Sequence, residues 1–325
     1  MTKNINIPDE AIIKELAEVS VLMARGAGAV LQRFSPGGTH VEYKGKDATD
    51  PVTEADWRVE EYLREEISRE FPDHGIVGEE STEARTDDAD FMWALDPLDG
   101  TANFAAGVPL YAISIGLLYK GVPIAGSLFL PNTFAGDGVY HARVGGGAFV
   151  DGSPLRVVSN SSPQPSGLAG FPANYGRVFS SKKKGKESKK GLGEVRTMGS
   201  IACEMVLVAS GIFQYSFFTG SHIWDVAAGV VLVREAGGEV LEWRRGQWAP
   251  IQDFVVTPQK PEEVPSQAFR RWGAPLLVGA PDIVTYIASR TQVSTSPMGS
   301  ISARIKGVAA RMKKRESSSS AKALD

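Results

Sequence analysis

The sequence predicts a mixed fold of helices and sheets, on three observations. Apolar residues recur at helical spacing near the N-terminus, short strand-like runs fill the middle, and strands alternate with helices from Gly167 onward. The first helix is expected from about Asp9 to Phe34, with Ile12, Leu16, Val19, Met23, Ala27, Val30 and Phe34 forming its apolar face. Arg25-Gly26-Ala27-Gly28 falls inside this pattern and reads as close helix packing, not as a dinucleotide-binding turn. A second helix should follow Thr53-Glu54-Ala55-Asp56, which has the form of a capping box. It carries Val59, Leu63 and Ile67 inward and should end near Phe71-Pro72-Asp73. Between Tyr111 and Val158 the runs are broken at Gly121, Pro131-Asn132, Gly136-Asp137-Gly138 and Asp151-Gly152, which argues antiparallel hairpins. Further helices are expected around Ile201–Ser210 and Val226–Ala236. The organisation expected is an N-terminal half, 1–165, a C-terminal half, 166–290, and a basic, flexible tail, 291–325.

Composition narrows the class. With 325 residues, 42% of them hydrophobic, the chain is long enough for a sizeable core. A formal net charge of -3 argues against attraction of the whole molecule to nucleic acid or membrane. One cysteine excludes an intramolecular disulfide and fits a reducing compartment. No leader pattern or bilayer-length apolar run occurs, so a cytoplasmic location is the expectation. His40, His74, His141 and His222 show no ligand spacing and Cys203 stands alone, which disfavours zinc.

The chemistry concentrates where the apolar strand Phe91-Met92-Trp93-Ala94-Leu95 meets Asp96-Pro97-Leu98-Asp99-Gly100-Thr101. Two carboxylates three residues apart sit where the strand should end, because Pro97 cannot continue a central ladder. Oxygen ligands suit a hard cation, and N–H groups at a helix start suit a phosphate. The turn reads as a magnesium-assisted phosphate site. Alone it could be ordinary turn chemistry. The same holds for Gly78-Glu79-Glu80-Ser81 as a solvated turn, Asp56 as a capping residue and Asp225 as an N-cap in His222-Ile223-Trp224-Asp225. Other schemes lack their signatures: no G-x-S-x-G elbow or phosphate-binding P-loop occurs. Leu98 and Gly100 also stand where an EF-hand needs oxygen-bearing side chains.

Taken in order, D-P-V-T-E-A-D, G-E-E-S, W-A-L-D-P-L-D-G-T-A-N-F and W-D-V-A-A-G resemble the inositol monophosphatase family of lithium-sensitive, magnesium-dependent phosphatases. The likeness spans roughly residues 8 to 290. It implies a layered αβαβα sandwich of the inositol monophosphatase/fructose bisphosphatase type, α+β or α/β in class. It also implies a homodimer and a small phosphorylated substrate. By resemblance, Glu79, Asp96, the carbonyl of Leu98, Asp99 and Asp225 hold two magnesium ions, with a third more loosely held near Asp56. Thr101 and Glu79 orient the attacking water, and the N–H groups of Gly100 and Thr101 receive phosphate oxygens. Asp99, Ser200 and Asp225 are further substrate-side positions. Converging carboxylates would repel one another unless cations sit among them, and paired cations can acidify a water and neutralise a phosphate.

One departure bears on the substrate. The family's inositol-reading acid lies seven residues before the W-D aspartate, and that position is Phe218. The ring either packs in the core or stacks on a leaving group; in both cases the acid is missing. The expectation is hydrolysis of a small polyol or sugar phosphate. Histidinol phosphate, fructose bisphosphate and adenosine bisphosphate are alternatives within the class, and a nucleic-acid-binding regulatory protein is the alternative outside it. The basic run Ser180–Lys190 and the tail from about Thr291, with Arg304–Arg315, read first as solvated segments. The sharper reading is a docking patch for RNA, acidic lipid or an acidic protein.

Overall fold

The structure is a computed structural model that describes residues 7–34, 36, 41–44, 50–81, 89–133, 136–158, 162–173, 179–181, 191–256 and 265–293. The N-terminal periodicity folds as the helix Glu10–Leu31, and of the expected stripe Leu16, Val19, Met23, Ala27, Val30 and Phe34 pack in the core while Ile12 does not. Ile13, Leu16, Ser20, Met23, Ala24, Ala27 and Leu31 face inward, while Ile12 is 44% exposed. Either isoleucine satisfies the spacing. The inner stripe includes Ser20, whose hydroxyl meets that of Ser127 at 2.7 Å, so a polar residue marks the buried side. Gly28 lets the helix lie against Phe129, since a Cβ there would stand 2.5 Å from the ring. The second helix is Glu54–Glu70, with Ala55, Val59, Leu63 and Ile67 buried. Both helices cover one face of a seven-stranded sheet.

That sheet runs in the order Gly75–Gly78, Phe91–Asp99, Ala112–Tyr119, Val122–Thr133, Gly136–Arg143, Gly147–Val150, Ser153–Pro154. Its first pair is parallel and the rest form the expected antiparallel meander. The strand expected to end at Leu95 continues to Asp99, with a register break between Asp96 and Asp99. Pro97 is tolerated because its parallel neighbour pairs only as far as Gly78 with Leu95, leaving no donor required on that side.

A second, mixed sheet runs Glu194–Arg196, Leu168–Gly170, Phe213–His222, Gly273–Gly279, Glu239–Arg244, Gln247–Pro250. The helices Ile201–Ala209 and Ile223–Glu235 lie between the two sheets and bury apolar side chains against both. The helix Pro281–Arg290 covers the outer face of the second sheet through Ile283, Val284 and Ile287. The layers are therefore helix, sheet, helix, sheet, helix. The tail begins later than expected. Thr291–Val293 pairs antiparallel with Phe179–Ser181, and Thr291 and Val293 are buried. Residues 182–190 and 294–325, which hold the lysine-rich run and the basic segment, lie outside the described residues. Among the described residues no helix is long and apolar enough to cross a membrane.

Candidate active site

The turn Asp96–Thr101 is shaped by its own backbone. Asp96 is 1% exposed, and its Oδ1 accepts the Leu98 N–H at 2.9 Å. Gly100 adopts φ 94°, which favours glycine, and caps the short helix Thr101–Ala105. The Thr101 hydroxyl lies 2.9 Å from the Leu98 carbonyl and 3.0 Å from Asp56 Oδ1, so its one proton faces two acceptors. Asp56 occupies the third position of its helix. Its Oδ2 accepts the Thr53 N–H at 2.8 Å and the Thr53 hydroxyl at 2.6 Å, which leaves Oδ1 directed at Thr101. The capping box and the site thus share one carboxylate.

Asp99 is held from the C-terminal half. Its Oδ2 accepts the Ser200 hydroxyl at 2.7 Å and the Ala202 N–H at 2.5 Å. Ser200 also accepts the Cys203 N–H at 3.1 Å as the N-cap of the middle helix, so it braces a carboxylate and a helix start together. Asp225 lies inside its helix at the third position and is not the N-cap. His222 is the cap, and Asp225 Oδ2 accepts its N–H at 2.7 Å. This helix approaches the first sheet closely because Ala227 and Ala228 meet glycines. A Cβ on Gly116 would be 2.5 Å from the Ala227 methyl, and one on Gly126 would be 2.4 Å from the Ala228 Cα. Ser114 adds a bond to the Trp224 carbonyl at 3.0 Å.

The remaining acid, Glu79, follows the parallel strand, and its N–H bonds the Leu95 carbonyl at 3.1 Å. Its turn depends on side chains that the sequence reading did not single out. Buried Glu60 accepts the N–H groups of Glu80 and Ser81 at 2.8 and 2.9 Å and pairs with Arg64 at 2.8 Å. Glu60 carried one signal, a charge on the buried stripe of Val59, Leu63 and Ile67. Glu204 was also missed. Its Oε1 accepts the Met198 N–H at 3.3 Å, just before Gly199-Ser200.

The field at the centre is strongly acidic. Burial, then Glu79, Asp99 and Asp225, push the Asp96 carboxyl well above the usual carboxylate range. Burial and Asp99 raise Asp225, burial raises Asp99 against its bonds from Ser200 and Ala202, and burial raises Asp56. These groups resist ionisation together unless a cation joins them, and their oxygens suit a hard ion. Among the described residues no three His, Cys, Asp or Glu side chains converge tightly enough to grip an ion as they stand. Several carboxylate oxygens are instead turned to the local donors named above. Phe218 is 3% exposed and packs in the apolar cluster between the sheets.

The sequence model of the inositol monophosphatase family matches residues 13–270. The chain belongs to the inositol monophosphatase family. A fructose-1,6-bisphosphatase/inositol-1-monophosphatase of Aquifex aeolicus is 34% identical over 234 residues, covering 70% of this chain and 85% of the relative. An inositol-1-monophosphatase of Synechocystis is 38% identical over 233 residues, 70% of this chain and 77% of that one. The solved inositol monophosphatase of Anabaena superposes with a TM-score of 0.61 at 28% identity, covering 86% of this chain and 95% of its own. The sandwich is the fold of inositol monophosphatases, and the chain is a phosphoric monoester hydrolase of that family.

Proposed function

We propose that the protein hydrolyses small phosphomonoesters, polyol or sugar phosphates of the inositol monophosphate kind, in a magnesium-dependent reaction at the Asp96–Thr101 turn. The observation that carries this is Asp96, buried beside Glu79, Asp99 and Asp225 and driven toward its neutral form first by that burial and then by those acids. Glu79, Asp96, the Leu98 carbonyl, Asp99 and Asp225 would hold two ions, with Asp56 beside a third. Magnesium, when bound, supplies charge neutralisation at the phosphate and lowers the pKa of a water. The chain's own residues orient the reactants, which is most of what phosphoryl transfer requires. Thr101 accepts a hydrogen bond from the attacking water while its own proton is directed at Asp56 Oδ1, and Glu79 flanks the same water. The N–H groups of Gly100 and Thr101 receive phosphate oxygens.

Substrate range follows from Phe218. A buried ring offers no acceptor to inositol hydroxyls, so activity is broad. The double description of the Aquifex relative favours a second reading, in which sugar bisphosphates are hydrolysed as well. Lithium inhibition, a homodimer and a cytoplasmic location belong to the same proposal. The test is phosphate release from inositol 1-phosphate, glycerol 2-phosphate, fructose 1,6-bisphosphate, histidinol phosphate and adenosine 3′,5′-bisphosphate, with and without magnesium. The reaction should require magnesium, with kcat/KM for inositol 1-phosphate within about a hundredfold of glycerol 2-phosphate, or about 2.7 kcal/mol. No release from any of the five in magnesium would overturn the proposal, and a larger preference would overturn the broad range alone.

A further inference from the structure

Arg270 lies at the end of the helix Pro265–Arg270, far in sequence from every acid of the site. Its half-buried guanidinium donates to three consecutive-turn carbonyls: Nη1 to those of Gly78 and Ser81, the latter at 3.0 Å, and Nη2 to that of Glu79 at 3.1 Å. The same group lies over the Trp224 ring, 5.0 Å from its centroid. Trp224 in turn stacks on His222 at 4.7 Å and 12° and immediately precedes Asp225. One side chain therefore ties the turn that carries Glu79 to the helix start that carries Asp225. Arg64 reaches the Ser81 carbonyl at 3.3 Å from the opposite half, so the turn is gripped from both sides.

We infer that Arg270 is a positioning residue that sets the separation of Glu79 and Asp225, two acids that come from opposite halves of the chain. The inference rests on the magnesium reading above. Its physical basis is the planar fork of arginine, which bonds several acceptors and stacks on an aromatic face at once; a lysine ammonium retains the charge but not that geometry. Without the fork, the Glu79 turn keeps Glu60 and Arg64 but loses its tie to Trp224. The two carboxylates then have to be drawn together by the cation itself, and affinity for the cation falls.

The experiment compares full-length wild type with Arg270→Lys and Arg270→Gln, using Arg290→Lys as a control. Arg290 also lies over an aromatic ring, that of Tyr286 at 4.3 Å, but it takes no part in the site. Magnesium binding is measured by calorimetry, and hydrogen exchange is followed for the amides of residues 76–81. Both Arg270 variants should raise the magnesium Kd about tenfold or more, equivalent to one step on the affinity scale, and speed exchange in 76–81. At saturating magnesium kcat should return to within a few-fold of wild type, whereas a purely structural defect would lower it at every concentration. The control should move neither reading. Folded Arg270→Lys or Arg270→Gln protein with unchanged Kd and unchanged exchange overturns the inference. Wild type that binds no magnesium overturns the functional reading instead, and the exchange arm still decides whether Arg270 holds the turn.

Discussion

In the turn Asp96–Thr101 the backbone is shaped locally: Asp96 takes the Leu98 N–H, Thr101 faces the Leu98 carbonyl, and Gly100 supplies the positive φ. In the turn Gly78–Ser81 the polar groups are met by Glu60, Arg64 and Arg270, from a helix on one side and a segment nearly two hundred residues away on the other. The first turn takes its backbone shape from consecutive residues, although its Asp99 and Thr101 side chains also meet Ser200, Ala202 and Asp56. The second is preorganised only when the whole sandwich has formed, so damage to it should appear as lost stability and looser ion binding before it appears as lost chemistry.

The largest effect expected is at the Asp96–Thr101 turn. Asp96→Asn should lower kcat by orders of magnitude, while the melting temperature of metal-free protein does not fall, because burial and the neighbouring acids already favour a neutral group at this position. Near-wild-type turnover in the folded variant at saturating magnesium would break the assignment. Thr101→Ala should lower kcat by about a hundredfold with KM nearly unchanged, as for loss of one proton-relay partner. If the variant instead melts lower and retains turnover, Thr101 serves only the helix start. Kinetics and melts on one preparation separate the two.

Glu60→Gln sharpens the contrast. It removes a buried charged acceptor from two N–H groups and an arginine, and denaturant unfolding should show a loss of about 1–3 kcal/mol. Ser200→Ala, at the brace of Asp99, should cost about 1 kcal/mol as a lost cap. Equal losses, with no change in magnesium affinity for Glu60→Gln, would remove the distinction between the turns.

Glu204 gives the comparison a pH axis. Burial pushes its carboxyl from the ordinary 4.5 up to about 8, and its Oε2 lies by the Ser216 hydroxyl in space kept open by Gly170. The folded state binds this proton more tightly than the unfolded state. The stabilisation it provides is therefore complete at low pH and declines as pH rises from 4.5 to about 8. Unfolding free energies at the two ends of that window should differ less in Glu204→Gln than in wild type, with the other buried acids common to both. An identical slope would show that Glu204 is ionised in both states.

The smallest effect is at the C-terminus. Truncation after Val293 should leave turnover and melting temperature unchanged. Truncation before Thr291 removes two buried side chains and a paired strand and should lower the melt.

The layered fold and the acidic clusters were legible because they lie in short consecutive motifs: a capping box, a strand that reaches D-P-L-D-G-T, and small residues after Asp225. The stripe of the first helix was legible but for one position, because Ile12 and Ile13 fit the same spacing and it is Ile13 that is buried, with Ser20 on the same side. Pro97 reads as a terminator because a central strand is bonded on both sides, whereas here the parallel neighbour ends at the Gly78–Leu95 pair. Arg270 carried no local signal at all. An arginine at a helix end is ordinary until three carbonyls and a tryptophan are folded onto it.

The placement of Ile201–Ala209 and Ile223–Glu235 between the sheets has a consequence for biosynthesis. Met92, Ala94, Leu118 and Leu128 of the first sheet are covered by these later helices, and the second sheet is completed only by Gly273–Gly279, which lies between Phe213–His222 and Glu239–Arg244. A nascent chain that has emerged only through its first half therefore shows a wide apolar face and three of the four central acids, without Asp225 and without the braces from Ser200, Ala202 and Arg270. Such an intermediate should be aggregation-prone and lack turnover. Ribosomal pausing in the first half should thus feed chaperone capture, and activity should arise only once the strand beyond residue 270 has left the exit tunnel.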